Sequence, residues 1–122
     1  MSLHPRPTSI VLHQRSRTLE VEFDDDSHFM LPCEYLRVYS PSAEVRGHGP
    51  GQEVLQTGKE TVNITQVEAV GVYAVKLHFD DGHNTGLYSW ETLYELGTHQ
   101  DRLWQAYLDD LTKAGYERKQ DA

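Results

Sequence analysis

The chain has 122 residues, 38% of them hydrophobic and 25% charged, which fits one globular domain with a core of its own. Nineteen Asp and Glu against eleven Lys and Arg leave a net charge of −8, and the basic residues form no stripe, so neither nucleic acid nor an anionic membrane surface is an expected partner. No stretch reaches the ~20 apolar residues of a membrane span. No apolar run follows Met1, so no secretory leader is expected, and the single cysteine, Cys33, rules out an internal disulfide and a cysteine-only metal cage. A cytoplasmic domain is the expectation.

Residues 1–8, rich in Pro, Ser and His, read as a loose tail, 9–115 as a single domain and 116–122 as a polar tail. Ile10 to Gln14 is a short apolar run. Thr18 to Phe23 alternates apolar and polar residues, the period of a half-buried strand with Leu19, Val21 and Phe23 inward. Asp24 to Ser27 makes a turn, His28 to Leu31 a short strand, and Pro32 opens a helix that continues to Val38. Ser40-Pro41-Ser42 breaks that helix. Arg46 to Gln52, with three glycines and a proline in seven residues, predicts a loop that is either a surface connection or a functional segment.

Asn63 to Val70 reads as a strand, with Gly71 turning it into Tyr73 to Phe79, where Val75, Leu77 and Phe79 face inward. Asp80 to Asn84 is a turn and Thr85 to Tyr88 a short strand. Ser89 caps a helix from Trp90 to Leu96 that Gly97 ends. Thr98 caps a second helix with Leu103, Trp104, Tyr107, Leu108 and Leu111 as its apolar stripe, and Gly115 closes it.

The two halves resemble each other. Thr18 to Asp25 overlays Ala74 to Asp81 at a constant offset of 56, and one residue further on Glu34-Tyr35-Leu36 falls on Glu91-Thr92-Leu93. The expected fold is α+β: a small, mostly antiparallel sheet from two hairpin-plus-helix halves, with the C-terminal helices packed on one side. Leu19, Val21, Phe23, Val75, Leu77, Phe79, Leu87, Trp90, Leu93 and Leu103 are the predicted core.

Catalytic signatures are sparse. His78-Phe79-Asp80 has the spacing of two iron ligands on one strand face, but His78 repeats the outward place of Glu22 and Asp80 starts a turn. No nucleophile elbow, phosphate-binding loop or dinucleotide fingerprint is present. Cys33 reads as a structural thiol. His83 stands in a tight turn, followed closely by Tyr88, Trp90 and Tyr94.

The segment Asp81-Gly82-His83-Asn84-Thr85-Gly86-Leu87-Tyr88-Ser89-Trp90, with Ser40-Pro41-Ser42-Ala43-Glu44-Val45-Arg46-Gly47-His48-Gly49 upstream, resembles the N-terminal domain family of gamma-butyrobetaine hydroxylase, over about residues 8–113. In the hydroxylases this domain precedes an iron- and 2-oxoglutarate-dependent catalytic domain. It carries a structural zinc on three cysteines, in a C-P-C-x-x-C segment, and one histidine. The matching positions here are Ser40, Ser42 and Val45, with His83 retained. Hydroxyls are poor neutral zinc ligands and valine is none, so the resemblance implies a family-type zinc site that is lost. Related domains also occur on P-loop proteins with iron–sulfur clusters, and iron or a cluster stays open here.

The expected function is a non-catalytic protein-interaction or accessory domain that binds a partner or itself and serves an iron-dependent or iron–sulfur pathway. One alternative is a metal-binding protein using His83 with His48, Cys33 or carboxylates. Another is a small-ligand binder or partner subunit of a 2-oxoglutarate oxygenase. The binding candidates are Arg46, His48, Gln52, His83 and Tyr88, on the loop of residues 40–52 and the turn and strand that follow it in space.

Overall fold

A computed structural model of the chain describes residues 4–47 and 51–119. The first half runs β1 (Pro7–His13), β2 (Thr18–Phe23), β3 (His28–Pro32), α1 (Cys33–Val38) and the single turn α2 (Ala43–Arg46). The second runs β4 (Ile64–Val70), β5 (Ala74–Phe79), β6 (Leu87–Ser89) and α3 (Trp90–Thr98), and α4 (Gln100–Lys113) follows. The fold is α+β, as the patterning predicts. The strands do not join into one sheet: they form two antiparallel three-stranded sheets, β1-β2-β3 and β4-β5-β6. Each middle strand is already paired on both sides within its own half, and the two sheets contribute their apolar faces to one shared cluster. Among the described residues no helix is long and apolar enough to cross a membrane.

The period-two strands behave as their sequence requires. Leu19, Val21 and Phe23 from β2, and Val75, Leu77 and Phe79 from β5, are all buried, with Tyr35, Leu36 and Leu93 from the helices packed among them. Several expectations need correction. Leu87 is 46% exposed and its neighbour Tyr88 is buried instead. Val75 pairs with Tyr88 and Lys76 with Leu87, and paired residues share a sheet face, so the inward position of β6 is Tyr88. Trp90 and Leu103 are half-buried at the edge of the core. Gly97 does not end its helix: α3 continues to Thr98, His99 joins it to α4, and α4 has no side-chain cap. Gly97 meets a different need, since a Cβ there would collide with the ring of Phe29. Ser89 does cap α3, its Oγ accepting from Thr92 N at 3.1 Å.

β1 begins at Pro7, opposite Phe23, within the segment read as a tail. Residues 116–119 are also held. Arg118 Nε donates to Glu34 at 3.0 Å, and Tyr116 OH to Glu60 at 2.8 Å.

The likeness of the halves extends to individual hydrogen bonds. Phe23 N donates to Ser27 O at 2.8 Å, and Phe79 N to His83 O at 3.0 Å. Asp25 Oδ1 accepts from Ser27 N at 2.9 Å, and Asp81 Oδ1 from His83 N at 3.1 Å. Each register irregularity lies where the outer strand meets the closing phenylalanine, Pro7 opposite Phe23 and Ile64 opposite Phe79. The helices are exchanged between halves. Arg37 on α1 reaches Asp81 of the second half at 2.9 Å, and Tyr94 on α3 reaches Asp25 of the first at 2.6 Å.

Candidate functional site

Two places have chemistry to offer: a buried polar cluster around His83 and an open groove at the tip of the second hairpin.

The cluster is assembled by the chain leaving α1. Ser42 is the N-cap of α2, its Oγ accepting from Glu44 N at 3.2 Å, and this turn aims Glu44 at the β5–β6 connection. There Glu44 Oε2 lies 3.0 Å from His83 Nδ1, and Ser40 Oγ lies 2.8 Å from Nε2. A carboxylate can only accept, so Nδ1 carries the proton, and in the neutral ring Nε2 accepts from the serine hydroxyl. Ser42 Oγ and Thr85 Oγ1 meet at 2.6 Å. Ser40 fits only because residue 86 is glycine, where a Cβ would strike its hydroxyl. Asp81 anchors the turn: its second oxygen accepts from Arg37 Nε at 2.9 Å and from Lys59 Nζ at 2.6 Å. Burial opposes its charge, but Lys59, the His83 amide and Arg37 outweigh that and hold the carboxyl at about 2. Burial, together with the Arg37 charge, pushes the His83 imidazole below its ordinary value despite Glu44.

Serine, histidine and glutamate are linked here in the order of a nucleophilic triad. Ser40 is 0% exposed and His83 5%, so no substrate reaches either. The arrangement is a structural knot that ties the α1–α2 segment to the second sheet.

The five candidate residues do not form one surface. His83 is inside the knot. Tyr88 is fully buried, its hydroxyl donating to Leu36 O at 2.6 Å, and burial raises its pKa. Arg46 and Gln52 are exposed, and His48 lies outside the described residues. Cys33 is buried against Asn63, and burial pushes its thiol up to about 11. His78 pairs outward with Glu68 at 2.8 Å, while Asp80 accepts from Asn63 N at 3.1 Å, so the two do not converge. Glu44, Arg37 and Asp81 have no role in the sequence reading, although Glu44 and Asp81 lie within the two motif segments; a serine two residues before Glu44 is the local cap pattern that could have pointed to it.

The groove lies between the β4–β5 turn and the start of α3. It encloses about 640 Å³, with Val72, Tyr73, Trp90, Tyr94, Glu91 and Glu95 along its walls. Val72 is 84% exposed and Tyr73 57%, the largest exposures among the described large apolar side chains. Trp90 fixes the turn, its Nε1 donating to Val72 O at 2.8 Å and its N to Tyr73 O at 3.0 Å.

Residues 10–94 match the family model described as gamma-butyrobetaine hydroxylase-like, N-terminal. The chain belongs to this family. No curated protein matches it. A protein structure solved in solution by NMR is 50% identical, with 98% of this chain and 94% of that one covered and a TM-score of 0.82. A second NMR structure is 53% identical, with 97% and 88% covered and a TM-score of 0.81. A crystal structure from Acidithiobacillus ferrooxidans, of a protein of unknown function in the DUF971 family, is 41% identical, with 75% and 92% covered and a TM-score of 0.64.

The zinc implied by the resemblance to the hydroxylases would need ligands at positions 40, 42, 45 and 83. These positions supply two hydroxyls, one isopropyl group and an imidazole with both nitrogens engaged. No group of three or more His, Cys, Asp or Glu side chains among the described residues is placed to hold a metal. This donor set does not fit zinc.

Proposed function

We propose that the chain is a non-catalytic interaction module that docks a partner protein through the groove at the tip of the second hairpin. The family itself is one of unknown function, so the reading rests on one observation. Val72 and Tyr73, at the tip of the β4–β5 hairpin, stand in solvent beside an open groove walled by Trp90 and Tyr94. Exposed apolar side chains around a groove mark interaction sites more often than isolated ones do. The polar cluster at His83 supports the same reading, since its hydroxyl and imidazole are spent on holding the fold. Its hydrogen bonds take the place of the family's zinc.

A photo-crosslinking amino acid at position 73, compared with one at position 113 on the far end of α4, tests this in the native cell. The expected result is one identified protein crosslinked from position 73 and lost when Val72 is changed to Ser. Crosslinking equal from both positions, or to a second copy of the chain only, overturns the reading.

A further inference from the structure

We infer that the partner segment is basic: an aliphatic or aromatic side chain seated in the groove and flanked by Lys or Arg. This rests on the groove reading above and adds the chemistry of the occupant. Glu91 and Glu95 lie one helical turn apart on α3, both exposed, and both line the groove. The exposed acidic turn Asp24-Asp25-Asp26 adjoins it through two groove residues: Tyr94 OH donates to Asp25, and Arg6 N to Asp24 Oδ1 at 3.2 Å. Arg6 and His4 also line the groove, so its own lining is mixed, two carboxylates with one guanidinium and one imidazole, and the adjoining aspartate turn tips the surroundings to negative. The whole chain, at −8, adds a field that draws cationic partners and repels anionic ones.

The apolar walls set the rest of the recognition. Tyr73, Trp90 and Tyr94 offer aromatic surface to an apolar side chain, and aromatic surface beside carboxylates also suits a guanidinium or ammonium group. An acidic peptide would have to bring its charge against Glu91, Glu95 and the aspartate turn without compensation.

A displayed library of random twelve-residue peptides, selected on the intact chain, tests the inference. Enriched peptides should carry net positive charge and an aromatic or large aliphatic residue. Bound as a synthetic peptide, one of them should shift the amide signals of Val72, Tyr73 and Glu91. The double change Glu91→Gln and Glu95→Gln, on exposed positions, should weaken it about tenfold, with a shallower salt dependence. Enriched peptides that are neutral or acidic but shift the same amides overturn the basic partner and leave the groove standing. Peptides that shift other residues, or no enrichment at all, overturn the groove as well.

Discussion

The two halves repeat one backbone motif and fill it with opposite chemistry. In the first half, Phe23, Phe29 and Tyr94 pack edge to face, with ring centroids 5.1 to 5.9 Å apart, and Gly97 makes room for Phe29. At the equivalent place in the second half, the Phe29 position is Gly86, the Gly97 position is Ser40, the Ser27 position is His83 and the Tyr94 position is Arg37. An aromatic cluster is thereby replaced by a hydrogen-bonded one, with the side chain that fills the glycine's space coming from the sheet in the first half and from the segment after α1 in the second. The turn itself does not change, because Asp25 and Asp81 hold it through the main chain in the same way. What differs is how each knot fails. A contact between rings loses packing gradually, whereas a buried polar network loses its balance when one member is removed.

The largest difference should appear on truncating the paired turn residues. His83→Ala opens a cavity and leaves the Ser40 hydroxyl proton without its acceptor, for an expected loss of about 3 kcal/mol. Ser27→Ala, at the matching position but partly exposed, should cost under about 0.5 kcal/mol. Urea unfolding of both variants measures this. Equal losses would mean that the His83 network contributes no more than the turn around it.

The glycines come next. Gly97→Ala drives a methyl group into a packed ring and should cost about 1–3 kcal/mol. Gly86→Ala collides with the Ser40 hydroxyl and only crowds Pro41 and Tyr88, so in a Ser40→Ala background its cost should shrink by about 1 kcal/mol. Independent, additive losses for that pair would show that Gly86 is not there to admit Ser40.

How much of this was legible in the sequence depends on how local the signal is. Leu19, Val21, Phe23, Val75, Leu77 and Phe79 could be placed because six-residue strands show their period of two. β6 has only three residues, too few to tell whether Leu87 or Tyr88 points inward, and its pairing with β5 decides that. Gly97 looks like a helix stop because sequence shows a missing side chain and not the Phe29 ring that requires its absence. The offset of 56 revealed the repeated hairpins, but the exchange of helices is a contact between halves and leaves no local pattern. Of the candidate site, the family motif brought Ser40, Ser42, Val45 and His83 to notice. Glu44 went unrecognised because it lies 39 residues from the ring it contacts. Val72 and Tyr73 read as turn and strand start, and only the position of α3 turns them into a wall of a groove.

Acid should separate the halves by a smaller margin. The folded-state imidazole of His83 titrates below its ordinary 6.5, so the unfolded chain takes up the proton first as pH falls. The stability this contributes is complete above about pH 6.5 and is lost as pH drops through the lower, folded value. Asp81 acts in a second window, its contribution present above 3.8 and lost towards about 2. Thermal melts from pH 7 to 5 should show a decline that His83→Phe reduces, while Ser27→Ala keeps the wild-type slope. An unchanged slope in His83→Phe would assign the decline to other groups.

The smallest expected effect is the most discriminating for the polar half. If the hydrogen bonds of Ser40, Ser42, Glu44 and His83 replace zinc, a strong chelator should leave the melting temperature where it was, because metal that holds a fold together adds its binding free energy to folding. A large drop on chelation would mean that a metal contributes after all. The converse variant sharpens the comparison. Cys at positions 40, 42 and 45, with His83 kept, gives three thiolates and an imidazole, a set that tetrahedral zinc takes readily. That triple variant should gain stability with added zinc and lose it to chelator, whereas Cys at the matching place in the aromatic half, Gly97, should gain nothing. A triple variant indifferent to zinc would show that the second half has given up the metal's geometry along with its ligands.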